Sequence, residues 1–164
     1  MDGLIAVTAQ YLVFLILVVA AVAWLFLPRQ DKVGLAAQAI VSLIFTVALV
    51  KMAAAIHTDP RPFVVDPSIK PLFAHSGDNG FPSDHTALAA TVALLVMAYR
   101  RMLGAVLLVL SLLVGVARVA AQVHHPEDII AALLIAALAV GCAAASWRWA
   151  RPKLPQRLTQ VASQ

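Results

Sequence analysis

Gly80-Phe81-Pro82-Ser83-Asp84-His85-Thr86 stands between a polar loop and an apolar run that begins at Ala87. Pro, Ser and Asp ahead of an apolar periodic segment predict the start of a helix. A hydroxyl, a carboxylate and an imidazole are thereby gathered where free backbone N–H groups and the helix dipole attract an anion. The helix they open is hydrophobic enough to lie in a membrane. That setting decides the fold class: an all-α bundle of membrane-spanning helices with a polar cluster at the membrane edge.

Composition agrees. The 164 residues are 62% hydrophobic and 12% charged, with a mean hydropathy of +0.91. A soluble domain is about half apolar and about a quarter charged. The net charge of +4 is not a nucleic-acid signal, because in a membrane protein the placement of the charges matters more than their sum. Neither a nucleic acid nor an obligatory protein partner is expected; the expected partners are membrane lipids. The single cysteine, Cys142, excludes an intramolecular disulfide and reads as a small packing residue in an Ala-rich run.

Outward from the opening stretch, the chain divides into five spans and forms a single membrane-embedded domain. Leu4 to Leu27 is apolar apart from Thr8 and Gln10, and as a helix reaches roughly 36 Å, enough to cross the hydrocarbon core. Met1-Asp2-Gly3 lacks a basic n-region, so this run reads as a retained span and not a signal peptide. Pro28 to Lys32 reads as a tight polar connection, and Val33 to Ile56 as the second span, with Lys51 near its end. His57 to Ser83 is the longest non-apolar segment, and a loop of that length in a compact protein is usually functional or disordered. Its Phe63-Val64-Val65 patch and the Phe73 region are suited to dip into the interface. Ser83 to Tyr99 is a short third span. Met102 to Val123 is the fourth, with Ser111 and Gly115 in a close-packing small-xxx-small spacing. Ile129 to Trp147 is the fifth, followed by a basic tail from Arg148 to Gln164.

Five spans put the termini on opposite sides. One side holds Arg29, Lys32, Arg100, Arg101, Arg148, Arg151, Lys153 and Arg157; the other holds Lys51, Arg61, Lys70 and Arg118. The excess of positive charge predicts that the first side, with the C-terminus, is cytoplasmic. The opposite, outer side receives all five histidines, which played no part in choosing the orientation.

Three clusters meet on that outer side. Arg61-Pro62 follows the second span, Ser83-Asp84-His85 opens the third, and Arg118 near the end of the fourth precedes His124 and Asp128. Two arginines and a helix N-terminus suit a phosphate, since Arg offers planar bidentate donors and stays charged. Two histidines flanking it can act as nucleophile and general acid. The four-residue spacing of His124 and Asp128 predicts that a helical turn brings carboxylate to imidazole, fixing its tautomer and favouring its charged form. A metal site from His85, His124 and His125 is the competing arrangement, but no His-Glu-x-x-His or Cys/His spacing supports it. His57, His75 and His125 read as loop or packing residues.

At these residues the chain resembles the type 2 phosphatidic acid phosphatases, the PAP2 superfamily. That family's pattern is K-x6-R-P, then P-S-G-H, then S-R-x5-H-x3-D. Arg61-Pro62 matches the end of the first motif. Pro82-Ser83-Asp84-His85 matches the second with Asp84 in place of Gly, and Arg118, His124 and Asp128 match the third at the family spacing, with Ala117 in place of Ser. The first-motif lysine falls at Ala54, with Lys51 one turn earlier. The Asp84 variant and the lead-in of His75, Asp78, Asn79 and Gly80 resemble the bacterial undecaprenyl-diphosphatase branch, similar to bacitracin-resistance proteins.

The resemblance implies a PAP2/haloperoxidase-like core in a bacterial cytoplasmic membrane. By it, His124 takes the phosphoryl group, Asp128 orients His124, and His85 protonates the leaving oxygen. Arg61, Ser83 and Arg118 hold phosphate oxygens, with Lys51 a further candidate. Asp84 either caps the helix or deters a second negative charge. The scheme requires no metal or other cofactor. Undecaprenyl diphosphate is the expected substrate, hydrolysed to the monophosphate at the outer face. The alternatives are hydrolysis or phosphotransfer on another lipid phosphate (phosphatidylglycerophosphate, phosphatidic acid or lipid A), or a non-catalytic lipid-phosphate binder or transporter.

Overall fold

The computed structural model describes residues 1–153. Six helices follow one another: α1 (Asp2–Leu25), α2 (Arg29–Ile56), α3 (Pro62–Val65), α4 (Asp84–Tyr99), α5 (Arg101–Ala120) and α6 (Pro126–Ala150), the last running into a 3-10 turn at Arg151–Lys153. Four of them, α1, α2, α5 and α6 with its 3-10 turn, are long and apolar enough to cross a membrane, which makes this a multi-pass membrane protein. The fifth expected span, α4, has 16 residues and reaches only about 24 Å.

Proline sets several boundaries differently from the sequence expectation. Pro28 is the N-cap of α2, so Arg29, Asp31 and Lys32 lie inside the helix and the connection shrinks to Phe26-Leu27-Pro28. Asp31 then sits in the first turn, where a negative charge complements the dipole. Pro126 occupies the first turn of α6, with Glu127 and Asp128 beside it; proline there forfeits no helical hydrogen bond. Helix α5 stops at Ala120, before Val123, and the chain reverses through Gln122 at φ 62°. Pro62 also starts the unforeseen one-turn helix α3 inside the long loop. Its Val64 and Val65 are exposed, while Phe63 and Phe73 pack against the cluster of Ala9, Ala117, Ala121 and Val123. The expected basic tail is described only to Lys153; its remainder, Arg157 included, lies outside the described residues.

The shortest span is the hub. Helix α4 packs against α1, α2, α5 and α6, because Ala87, Ala89, Ala90 and Ala93 are all but completely buried and small side chains let helices approach closely in lipid. Val13 and Ile16 of α1 and Leu107 and Val114 of α5 close the core around Ala89, Ala93 and Val96. Buried Ser111 and Gly115 meet the close-packing expectation, since a Cβ on Gly115 would stand 2.5 Å from Ile129. On the α2 side, Thr46 and Thr91 hydroxyls hydrogen-bond at 2.9 Å, and Gln38 bonds the Tyr99 hydroxyl. Leu4, Val7, Phe14 and Val18 of α1 and Ile40, Ile44 and Val47 of α2 point outward, an apolar surface suited to lipid.

Candidate active site

The loop before α4 is organised by Asn79. Its Nδ2 donates to the carbonyl of Ala54 at 3.1 Å and of His57 at 3.0 Å, satisfying acceptors that the end of α2 leaves free. Its Oδ1 accepts the N–H groups of Asp59 at 2.9 Å and Phe81 at 3.0 Å. One amide thus ties both ends of the loop to α2. Gly80 N–H donates to Asp59 O at 2.9 Å, and a Cβ on Gly80 would lie 3.1 Å from that oxygen and 3.4 Å from Asp128 Oδ2. Glycine lets the loop lie against the carboxylate.

Two arginines enter the same space from different elements. Arg61 is the N-cap of α3 and is 5% exposed. Its Nη1 donates to Val123 O at 2.7 Å and faces His124 Nε2 at 3.4 Å. Its Nε and Nη2 donate to Asp78 Oδ1 at 3.1 and 2.9 Å. Burial opposes the charged Asp78 carboxylate, but the Arg61 pair overrides it and holds the carboxyl below its ordinary value. Arg118, in the last turn of α5, is 2% exposed. Nη1 donates to Ala9 O at 3.2 Å, Nη2 donates to His75 Nε2 at 3.0 Å, and Nε has no partner among the described residues.

His124 lies before α6, not on it. His125 is the N-cap, and Asp128 is the third residue of a capping box. Asp128 Oδ2 accepts the His125 N–H at 2.9 Å and the His124 Nδ1–H at 3.0 Å. One carboxylate oxygen therefore caps the helix and fixes the His124 tautomer, leaving the Nε2 lone pair toward Arg61. The pairing expected from a helical turn comes from a helix cap instead. Burial pushes the His124 imidazole below its ordinary pKa, against the Asp128 hydrogen bond and with help from Arg118 and Arg61. The carboxylate expected to favour the charged ring is outweighed.

These groups surround a cavity of about 570 Å³ whose wall includes Arg61, His75, Asp84, His85, Arg118 and His124. Leu43, Val47 and Val50 of α2 and Leu88 of α4 form its apolar side. Lys51 is also on the wall, as is Ala54 where the family's lysine would stand. Asp128 is fully buried behind His124.

Ser83 departs from expectation. It is fully buried and off the cavity wall, its hydroxyl 3.1 Å from Thr86 Oγ1 and its N–H on Asp128 O at 3.2 Å. It joins α4 to α6. Ser83 rather than Asp84 is the N-cap of α4, without a side-chain capping bond, so Asp84 does not cap the helix. His125 turns away from the cavity to Asp59 Oδ2 at 2.9 Å, so the trio His85, His124 and His125 is not gathered. His57 packs edge-on against Phe81. His75 is a loop residue, as expected, and it also stands on the cavity wall. The lead-in His75, Asp78, Asn79, Gly80 was visible as a subfamily mark, but no periodicity assigns a loop residue to a site.

Residues 35–153 match the PAP2 superfamily. The bacitracin transport permease protein BcrC of Bacillus licheniformis is 30% identical over 146 residues, covering 89% of this chain and 70% of that protein. The undecaprenyl-diphosphatase BcrC of Bacillus subtilis (strain 168) is 26% identical over 136 residues, covering 83% and 69%. The crystal structure of Aquifex aeolicus LpxE shares the fold, with a TM-score of 0.72 at 22% identity over 88% of this chain and 85% of that one. With the family matched over most of its length, and with its motif residues folded around one cavity, the chain belongs to the PAP2 superfamily, in the branch that holds the BcrC relatives, and is a lipid phosphatase.

Proposed function

We propose that the protein hydrolyses undecaprenyl diphosphate to undecaprenyl phosphate and inorganic phosphate through a phosphohistidine at His124. The observation that carries this is the buried His124–Asp128 pair, 3.0 Å apart, at the wall of a cavity that also presents two arginines. A neutral ring with its Nδ1–H held by a carboxylate presents Nε2 as a nucleophile. His124 Nε2 forms a bond to the terminal phosphorus as the bridging oxygen to the lipid-bound phosphate departs. His85 protonates that oxygen. It then takes a proton from water, whose oxygen attacks the phosphohistidine, releasing phosphate and restoring His124. Arg61 and Arg118 hold the equatorial oxygens and stabilise their charge as bonds change, aided by the α4 N-terminus. Ser83 supports the site from behind by holding α4 to α6, Lys51 adds a cation on the α2 wall, and Asp84 limits how much negative charge the cavity retains.

The aliphatic face of the cavity supports a lipid substrate. Leu43, Val47 and Val50 lie along a helix whose outer face is exposed to the membrane, so a phosphate on a long apolar tail can arrive by lateral diffusion. Charge supports the outer leaflet. Arg29, Arg100, Arg101 and Arg148 lie at helix ends remote from the cavity, and by the positive-inside rule this favours a cavity on the outer face and a cytoplasmic C-terminus.

The test is phosphate release from purified undecaprenyl diphosphate, phosphatidylglycerophosphate, phosphatidic acid and lipid A phosphates, with EDTA present. The diphosphate should give the highest kcat/KM, and EDTA should leave the rate unchanged. Activity confined to a different lipid would overturn the substrate, and loss with EDTA would overturn the metal-free scheme.

A further inference from the structure

His75 is held more firmly than its place in a long loop implies. Leu72 N–H donates to Ala121 O at 3.2 Å, and Phe73 packs on the cluster at the end of α5. His75 then projects to the cavity wall, its ring centroid 6.4 Å from that of His124. Both of its ring nitrogens are committed. Arg118 can only donate, so Nε2, 3.0 Å from Nη2, accepts. A carbonyl can only accept, so Nδ1, 3.2 Å from Ser76 O, carries the proton. The ring is the neutral Nδ1–H tautomer, with its lone pair on one of the donors a phosphoryl oxygen needs.

A phosphate cannot take that donor while the lone pair of His75 keeps it, and phosphate oxygens facing the same lone pair would repel. Resting on the phosphatase reading above, we propose that His75 is a substrate-contacting residue: a phosphoryl oxygen displaces its Nε2 from Arg118, and His75 takes a proton from solvent and donates to that phosphate. The charges around it make the exchange responsive to phosphate. Arg118 on α5 and Arg61 before α3 disfavour a cationic ring; Asp78 on its own loop favours one. His85 and Asp84 at the start of α4, Lys51 on α2 and His124 before α6 complete the titratable and charged groups on the wall. Burial, foremost, and the two arginines hold the imidazole below its ordinary pKa, against the Ser76 carbonyl and Asp78. A bound phosphate reverses the sign of that local field.

The experiment is calorimetric titration of the full-length protein in detergent with inorganic phosphate, in two buffers of different ionisation enthalpy, which counts protons taken up. Wild type, His75→Ala and His75→Gln are compared, so that protonation of phosphate itself and of His124 cancels. Wild type should take up close to one proton more than either variant. His75→Ala should bind phosphate about tenfold more weakly, the loss of one charge-assisted hydrogen bond. His75→Gln, which donates without titrating, should recover most of the affinity and none of the extra proton. Equal proton counts in the three proteins, or undiminished affinity in His75→Ala, would overturn the proposal. Absence of lipid hydrolysis alongside intact proton-linked phosphate binding would defeat the phosphatase reading and leave this one standing.

Discussion

The two ends of α4 are built from similar materials and arrive at opposite states. At the C-terminal end, Gly34, Gln38, Tyr99 and Trp147 fit together closely. A Cβ on Gly34 would lie 2.7 Å from the Tyr99 hydroxyl and 3.3 Å from Trp147, and the space there is about 70 Å³. At the N-terminal end, His75, His85 and His124 and the guanidinium groups of Arg61 and Arg118 stand around about 570 Å³. Both ends contain polar groups in a membrane bundle, where each must find a partner. On the Gly34 side of the C-terminal end the polar groups meet within the protein: Gln38 donates to Gly34 O and to the Tyr99 hydroxyl. The N-terminal end leaves Arg118 Nε without a partner among the described residues and lends Nη2 to a histidine, an arrangement that costs stability and suits an anion. A helix too short to be a comfortable span therefore serves as a rigid post with a packed foot and a reactive head.

The sharpest way to break the contrast is at the head. His124→Ala should lower kcat on the order of 10⁴-fold or more, as expected for loss of a nucleophile, and should lower the thermal midpoint because the buried Asp128 loses a partner; phosphate-release kinetics on purified lipid diphosphate and thermal unfolding measure the two effects. Arg118→Ala should reduce kcat/KM by roughly 10²–10³-fold. Its midpoint should hold or rise, because a buried and incompletely paired charge is removed. A large fall in midpoint would mean that the arginine is there to hold Ala9 of α1 and not to hold substrate.

Which residues could be read in advance follows from where they sit. Arg61, His85, Arg118, His124 and Asp128 flank helix ends, where chain spacing converts directly into position, and all of them reach one site. Lys51 could be placed on α2 one turn from the family's lysine position, and helical geometry alone puts it on the cavity wall. Ser83 stands off the cavity wall because its hydroxyl meets Thr86 and its N–H meets Asp128 O of α6, contacts that no motif encodes. Asp128 was paired correctly for an incomplete reason: a helix cap, not a helical turn, brings it to His124. His75 and Asn79 work through loop contacts far apart in sequence, and such contacts leave no period to detect. Boundaries moved mainly where Pro28 and Pro126 start helices earlier than hydropathy does.

At the foot of α4 the expected effects are smaller and of another kind. Gly34→Ala should destabilise by about 1–3 kcal/mol through overpacking against Tyr99 and Trp147, while kcat and KM of the folded protein stay unchanged. Altered kinetics would show that the two ends are coupled and not independent.

The gentlest perturbation is pH. His75 and His124 both have pKa values below the ordinary 6.5, so on acidification the unfolded chain takes up protons before the native one does. Stability is fully present above that value and is lost as pH falls through it toward the native pKa values. The thermal midpoint of wild type should therefore fall below about pH 6.5, and a His75→Gln, His124→Gln double variant should show less of that fall.

The most direct measurement is rapid quench of the wild-type enzyme in alkali after mixing with lipid diphosphate labelled in its terminal phosphate. An acid-labile, alkali-stable phosphoryl group on His124, formed and discharged at least as fast as phosphate is released, is the predicted result. Full turnover with label on no histidine, or on His85 or His75 in place of His124, would contradict it.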